Sequence, residues 1–304
     1  MARTKPFIHI TRLKETVMHT FRLSSIVQAA AHVAMDSIQQ RYGDGASQDN
    51  KLAFHGPAHT NGVLRRAVTL AQAMGATEAE ADLAGIAAAF HDTVQNWEEN
   101  RRPDGAILRK RFAGRNEQDS ATEAVRWMQE LGNNDVQDAQ LVTEAILATV
   151  PGWDPANGTV CQPNLKPDSH LVVRAVALAD LATAGMQGTD FAHEGDPLFR
   201  EEQLDIARTI SAATRRSDIP VDTQEGFRTR MLQWSKSQAG FANGRKARLE
   251  AELGDINAEA KDRVKALFCG FDAAIDAATT IVTERSKLSF WEIADAMGYT
   301  IPLA

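Results

Sequence analysis

The sequence predicts an all-α fold, on three observations. Alanine is abundant and aromatic residues are only 6% of the 304 residues, a balance that suits close helix packing better than the β-branched and aromatic surfaces of sheets. The apolar run 83–90 is preceded by Thr77-Glu78-Ala79-Glu80, a capping-box pattern that opens a helix rather than a strand. A second apolar run, 172–181, carries a single acid and reads as another buried helix.

Taken in order, residues 11–42 read as one helix, with Leu13, Val17, Phe21 and Ile26 among its apolar positions. A polar loop follows from Tyr42 to Asn50. Pro57 suits the first turn of the next helix, so His55 stands just before that helix and His59 inside it. The helix of 83–90 ends at His91-Asp92, and a charged loop, 97–105, comes directly after. A further helix opens near Asn116, and 151–168, with Pro151, Pro155, Pro163 and Pro167, reads as a second loop near the site. Beyond residue 195 the pattern predicts helices near 197–215, 222–252 and 256–285, with a hairpin turn at Gly254-Asp255. Ser289 caps a short last helix ending near 297. We find no internal repeat and no low-complexity linker. The reading is one domain over 1–304, with a catalytic core at about 50–190 flanked by the N-terminal helix and the C-terminal helices.

A hydrophobic fraction of 43% is ordinary for a folded enzyme. The net charge of -7 argues against a general nucleic-acid surface but not against a small nucleotide. Cys161 and Cys269 are far apart and form no CxxC pattern, so neither a zinc ribbon nor a disulfide framework is expected. No apolar run is read as long enough to span a bilayer, and the first ten residues lack the apolar core of a signal peptide; a cytoplasmic protein is expected.

The chemistry lies in the order His55, His59, His91-Asp92, Asp180. A lone His on an apolar helix is usually a hydrogen-bonded core residue, but this combination is not explained so simply. His55 and His59 are four apart, about one helical turn. A buried carboxylate beside a buried imidazole at 91–92 is costly without a compensating charge, and Asp180 in its apolar helix needs a partner as well. A divalent cation answers all three, and two imidazoles with two carboxylates suit Mn, Fe, Zn, Co or Mg.

This order resembles the HD superfamily of metal-dependent phosphohydrolases, an all-α fold named after the pair seen here as His91-Asp92. Asn116-Glu117-Gln118-Asp119-Ser120-Ala121, Phe90-His91-Asp92-Thr93-Val94 and Ala179-Asp180-Leu181-Ala182 are similar to segments of a bacterial branch of that superfamily. The resemblance spans roughly residues 50–250 and implies that His59, His91, Asp92 and Asp180 hold one divalent ion. It implies that His55 protonates a leaving oxygen, that Asp92 or Glu117 accepts a proton from water, and that the substrate is a nucleotide or another small phosphorylated molecule. Glu117 also suits a plain helix N-terminus. Gln95 stands where some nucleotidases of the superfamily have an acid, which weakens transfer of their 5'-monophosphatase activity. His170 is the only His between the pair and Asp180, so a two-iron oxygenase of the same fold is the second reading, and a nucleotide sensor retaining the fold is the third. Arg65, Arg66, Arg245 and Lys246 are candidate phosphate clamps, each weighed against a solvated basic face. Neither extended nucleic acid nor a membrane is an expected partner, and a helical homodimer is left open.

Overall fold

Ser24 caps the first described helix: its hydroxyl accepts the Val27 N–H at 3.3 Å. The computed structural model describes residues 23–302. That helix, α1 (Ser25–Tyr42), therefore begins later than the expected residue 11, and residues 11–22 lie outside the described residues. His19 lies outside them too, whereas His32 is an exposed partner of Asp36 on α1.

The next elements form a helical core. They are α2 (Pro57–Met74), α3 (Glu78–Phe90), α4 (Arg115–Glu130), α5 (Val136–Leu147), α6 (Leu171–Asp180) and the single turn α7 (Thr183–Met186). Thr77 and Glu80 make the reciprocal capping box that the sequence predicts for α3. From Leu83 to Phe90 every residue of α3 is buried, and the helix packs against α1, α2, α5 and α6. Alanines make so many close neighbours tolerable. At Gly85 even a methyl is too much: a Cβ there would lie 2.7 Å and 2.8 Å from the two Val27 methyl groups of α1.

Two stretches expected as loops are hairpins. β1 (Trp97–Arg101) pairs antiparallel with β2 (Ile107–Arg111), and β3 (Gly152–Asp154) with β4 (Thr159–Cys161). The first has few apolar residues to announce it. It is held instead by pairs such as Glu98 opposite Lys110, 2.7 Å apart, across a turn in which Asp104 accepts the Ala106 N–H.

The C-terminal part comprises α8 (Phe191–Glu202), α9 (Leu204–Ala212), α10 (Val221–Leu253), α11 (Ala258–Leu267), α12 (Phe271–Arg285) and α13 (Phe290–Ala296). The helix expected at 197–215 is thus two helices, and the first begins six residues earlier. The helix expected at 256–285 is broken at 268–270, where the Gly270 N–H donates to Gly185 O at 2.7 Å. An 18-residue window within Ala258–Arg285 has a mean hydropathy of 1.4, but the break at 268–270 divides it between α11 and α12, each shorter than that window. Phe199, Ile206, Ile210, Met231, Phe290 and Ile293 form a second apolar cluster beside the main core. The 33-residue α10 packs on β4, α6, α8 and α12, which brings the C-terminal helices onto the face where the core helices end.

Candidate metal centre

Each sequence-predicted ligand sits at a helix end. Gly56 caps α2 and Pro57 opens it, so His59 stands in the first turn. His91 is the C-terminal cap of α3, and Asp92 follows in a turn closed by the Thr93 N–H to Phe90 O, 3.1 Å. Asp180 is the last residue of α6. Because α2 packs on both α3 and α6, three helix ends meet at one place.

The side chains converge. One donor atom each of His59, His91 and Asp180 lies within 4.8 Å of the others. Asp92 Oδ2 is 3.0 Å from His91 Nε2 and 3.5 Å from His59 Nε2, and Asp180 Oδ1 is 3.6 Å and 3.4 Å from the same atoms. None of these contacts gives either Nε2 a hydrogen bond: both are buried and unpartnered, as is His59 Nδ1. Buried polar atoms without partners are rare, and four donors facing one point account for the two Nε2 atoms here. Donors about 2.0–2.2 Å from a common ion lie about 3.0–3.5 Å from their neighbours, close to the separations observed.

The surroundings aim these donors. The ring of His91 gives its Nδ1–H to Ala88 O at 2.8 Å, which leaves the lone pair on Nε2 facing the centre. Gln95 Nε2 and Arg111 Nη2 hold Asp92 Oδ1 at 2.7 Å and 3.2 Å, so Oδ2 is free to face the imidazoles. Gln95 thus serves Asp92 as a donor, which an acid at that position could not do when ionised. Gln162 donates to Asp180 Oδ2 at 3.3 Å. Arg66, a candidate clamp, is instead buried, and its Nε binds Ala179 O at 2.8 Å, fixing the end of α6 that presents Asp180. Asn116 and Ser120 grip the backbone after the His-Asp pair: Asn116 exchanges hydrogen bonds with Asn96, and Ser120 Oγ accepts the Val94 N–H at 3.0 Å.

The centre attracts positive charge. Burial opposes the imidazolium form of His91, but Asp92 and Asp180 outweigh it and hold the ring up to about 10. His59 is raised for the same reasons. Burial works against both carboxylates too, yet the neighbouring imidazoles hold Asp92 and Asp180 well below the usual range. The donor set fits a divalent cation.

His55 stands beside this cluster with its own support. Its Nδ1 is 2.5 Å from Glu201 Oε1, and Glu201 Oε2 accepts the backbone N–H groups of Phe54 and His55 at 3.0 Å and 3.1 Å. Arg111 Nη1 donates to His55 Nε2 at 2.8 Å, so the ring proton is on Nδ1 in this arrangement. To act as an acid, His55 must be protonated on Nε2 and Arg111 must turn away. Glu117 lies at the cavity wall with both of its readings present. Gly114, at φ 85°, starts α4 so that its N–H reaches Glu117 Oε2, and Glu117 Oε1 stands 3.8 Å from Arg111.

The other basic candidates do not line the cavity. Arg65 is exposed on α2, Arg245 pairs with Glu252 and Val160 O, and Lys246 pairs with Asp272 at the surface. The residues that do are Arg109 and Arg111 of β2. Sequence reasoning missed both, though a strand reading of 107–111 would have put them on one face. It also missed Glu201, for which a Glu-Glu pair in an amphipathic helix gives no signal. His170 caps α6 through its Nδ1 and faces Glu80, away from the centre.

No protein-family model, curated protein or solved structure matches the chain, so its chemistry is argued from this geometry.

Proposed function

We propose that the chain is a metal-dependent hydrolase of a small phosphoester, built on an HD-type helical core, with His59, His91, Asp92 and Asp180 holding one divalent ion. The observation that carries this reading is the pair of buried, unpartnered Nε2 atoms facing two carboxylates beside a cavity of about 500 Å³. A divalent ion supplies charge neutralisation and a water of lowered pKa. The protein's own groups do the rest. Glu201 orients His55, which, once protonated on Nε2, gives that proton to the leaving oxygen. Arg111, released from His55, offers a planar pair of donors to a phosphoryl oxygen. Glu117, 3.8 Å from Arg111, or Asp92 accepts the proton from water in this reading.

Among the described residues, His55 and His59 are the histidines that line the cavity and His91 is the one buried beside Asp92; no fourth histidine joins them, which favours one ion over the two-iron reading. Metal content per chain, measured by mass spectrometry on wild type and Asp180→Ala, followed by phosphoester turnover with the ion found, tests the proposal. One ion lost together with turnover supports it. Full turnover with the ion retained in Asp180→Ala refutes the ligand assignment. Two irons with oxygen uptake would point to the oxygenase, and a bound ion without turnover of any phosphoester to the sensor.

A further inference from the structure

The cavity beside the metal centre is lined by charged and by apolar side chains. Arg109 and Arg111 are the only Lys or Arg residues among the described lining residues, against five carboxylates: Asp92, Glu117, Asp180, Glu194 and Glu202. With all five ionised, two guanidiniums leave a balance of three negative charges, and a divalent ion leaves one. Burial and the adjacent Glu201 push Glu202 up to about 7 against the pull of Arg111 and Arg109, which brings the balance nearer to zero. Neither guanidinium is idle. Arg109 donates to Glu201 O and Asp49 O and lies 4.5 Å over the Trp97 ring, while Arg111 is shared by His55 and Asp92. A ligand with three or four negative charges would meet no surplus of positive charge.

The apolar lining is preformed. Leu198 of α8, Trp234 and Phe241 of α10 and Val160 of the adjoining β4 supply it, with Ser237 and Gln238 between the two aromatic residues on α10. Phe241 stacks on Phe191 with centroids 5.5 Å apart, and Trp234 is fixed by its Nε1–H to Gly195 O at 3.0 Å. At the rim, Trp153 is 63% exposed, an unusual position for so large an apolar surface. Side chains already held in place order little further when a ligand arrives.

We infer that this wall is a binding site for the organic part of the substrate, and that the substrate carries one phosphoryl group and an uncharged group of aromatic or acyl size. The inference rests on the phosphoester reading above and narrows it away from polyphosphates. The pocket then divides recognition: the metal centre and Arg111 take the phosphoryl group, and Leu198, Trp234 and Phe241 select what is attached to it.

Binding tests this without turnover. Methylphosphonate, benzylphosphonate and 4-carboxybenzylphosphonate, which have no ester bond to hydrolyse, are titrated calorimetrically into the full chain in the presence of Mn²⁺. The expected order has benzylphosphonate about tenfold or more tighter than methylphosphonate, the scale that burial of one ring supports. The added carboxylate should erase that gain. Phe241→Ala should lower the ratio of benzyl to methyl affinity severalfold. Equal affinities for the benzyl and methyl ligands, binding of neither, or tightest binding of the carboxylated ligand overturns the inference. Phenyl phosphate turnover is measured in parallel. The expected binding order without turnover leaves the apolar site standing and removes the hydrolase reading, whereas turnover without that order does the reverse.

Discussion

Glu201→Gln isolates one carboxylate at the edge of the centre. Glu201 is 2% exposed, and its two oxygens accept from His55 Nδ1 and from the N–H groups of Phe54 and His55. Glutamine has the same shape but only one acceptor oxygen. If that oxygen faces His55, the amide NH2 confronts two backbone donors; if it faces the backbone, the NH2 confronts the His55 Nδ1–H. Either way a buried donor is stranded, at a cost of about 1–3 kcal/mol. The ionisation gives a second measure. Burial would raise the Glu201 pKa, but His55 and the two N–H groups hold it at about 2, below the usual 4.5. A depressed folded-state pKa stabilises the protein above the unfolded value and loses that effect as the pH falls through the folded one. The shift corresponds to about 3 kcal/mol at neutral pH, about 2 kcal/mol near pH 3.5 and under about 1 kcal/mol near pH 2.5. Urea unfolding of wild type and Glu201→Gln, followed by circular dichroism at those pH values, should show a gap that narrows as acid is added. A gap below about 1 kcal/mol at neutral pH, or one that stays constant with pH, refutes the reasoning.

Asp92→Ala should lose the ion and turnover together, since it removes an anionic ligand; mass spectrometry and initial rates check this, and an unchanged ion content would remove Asp92 from the ligand set. His55→Ala should keep the ion and lose about a hundredfold or more in kcat, and a drop in ion content instead would make His55 a ligand. Gln95→Glu replaces the donor to Asp92 Oδ1 with a like charge, so the gap in Tm between chelated and ion-loaded protein should widen relative to wild type; identical gaps would mean that Gln95 does not steer that carboxylate. Gly85→Ala drives a methyl into Val27 and should destabilise by about 1–3 kcal/mol despite the better helix propensity of alanine. Val27→Ala should recover part of that loss, and additive effects of the two substitutions in urea unfolding would contradict the close approach.

The helical class and the place of each donor at a helix end were legible because each depends on local pattern; that the four donors meet was expected from their order and from the resemblance to the HD superfamily. The Thr77–Glu80 capping box places the start of α3, the apolar run places its body, and Pro57 places His59 in a first turn. The supports were not legible, because they depend on pairings remote in sequence. Arg111 reaches His55 across 56 positions, and Glu201 reaches it across 146. The β1–β2 hairpin hid in a charged segment because a backbone ladder with one exposed cross-strand ion pair, Glu98–Lys110, rather than apolar alternation, forms it. The hairpin formed by β3 and β4 hid behind its prolines. The split of 256–285 turned on the backbone contact between Gly270 and Gly185, which no periodicity reveals.

These two kinds of residue divide along the fold. The donors come from α2, α3 and α6, whose buried faces leave little room for change: α3 is apolar on every side before it reaches His91. The cavity that would receive a substrate is finished by the β1–β2 and β3–β4 hairpins and by α8 and α10, elements that lie outside the helices supplying the donors. A close-packed core resists displacement of the donor atoms because its side chains interdigitate with few voids. Peripheral hairpins and helices can vary their side chains without disturbing that geometry. The Arg245–Glu252 pair braces the second set, since Arg245 Nη1 also holds Val160 O of β4 at 3.0 Å. The link to the donors comes from α6, which carries Asp180: it packs against α10, and its Arg174 donates to Glu252 O. An exchange of wall residues therefore changes what is bound, whereas loss of Arg245 would loosen the wall itself while leaving the four donors in place.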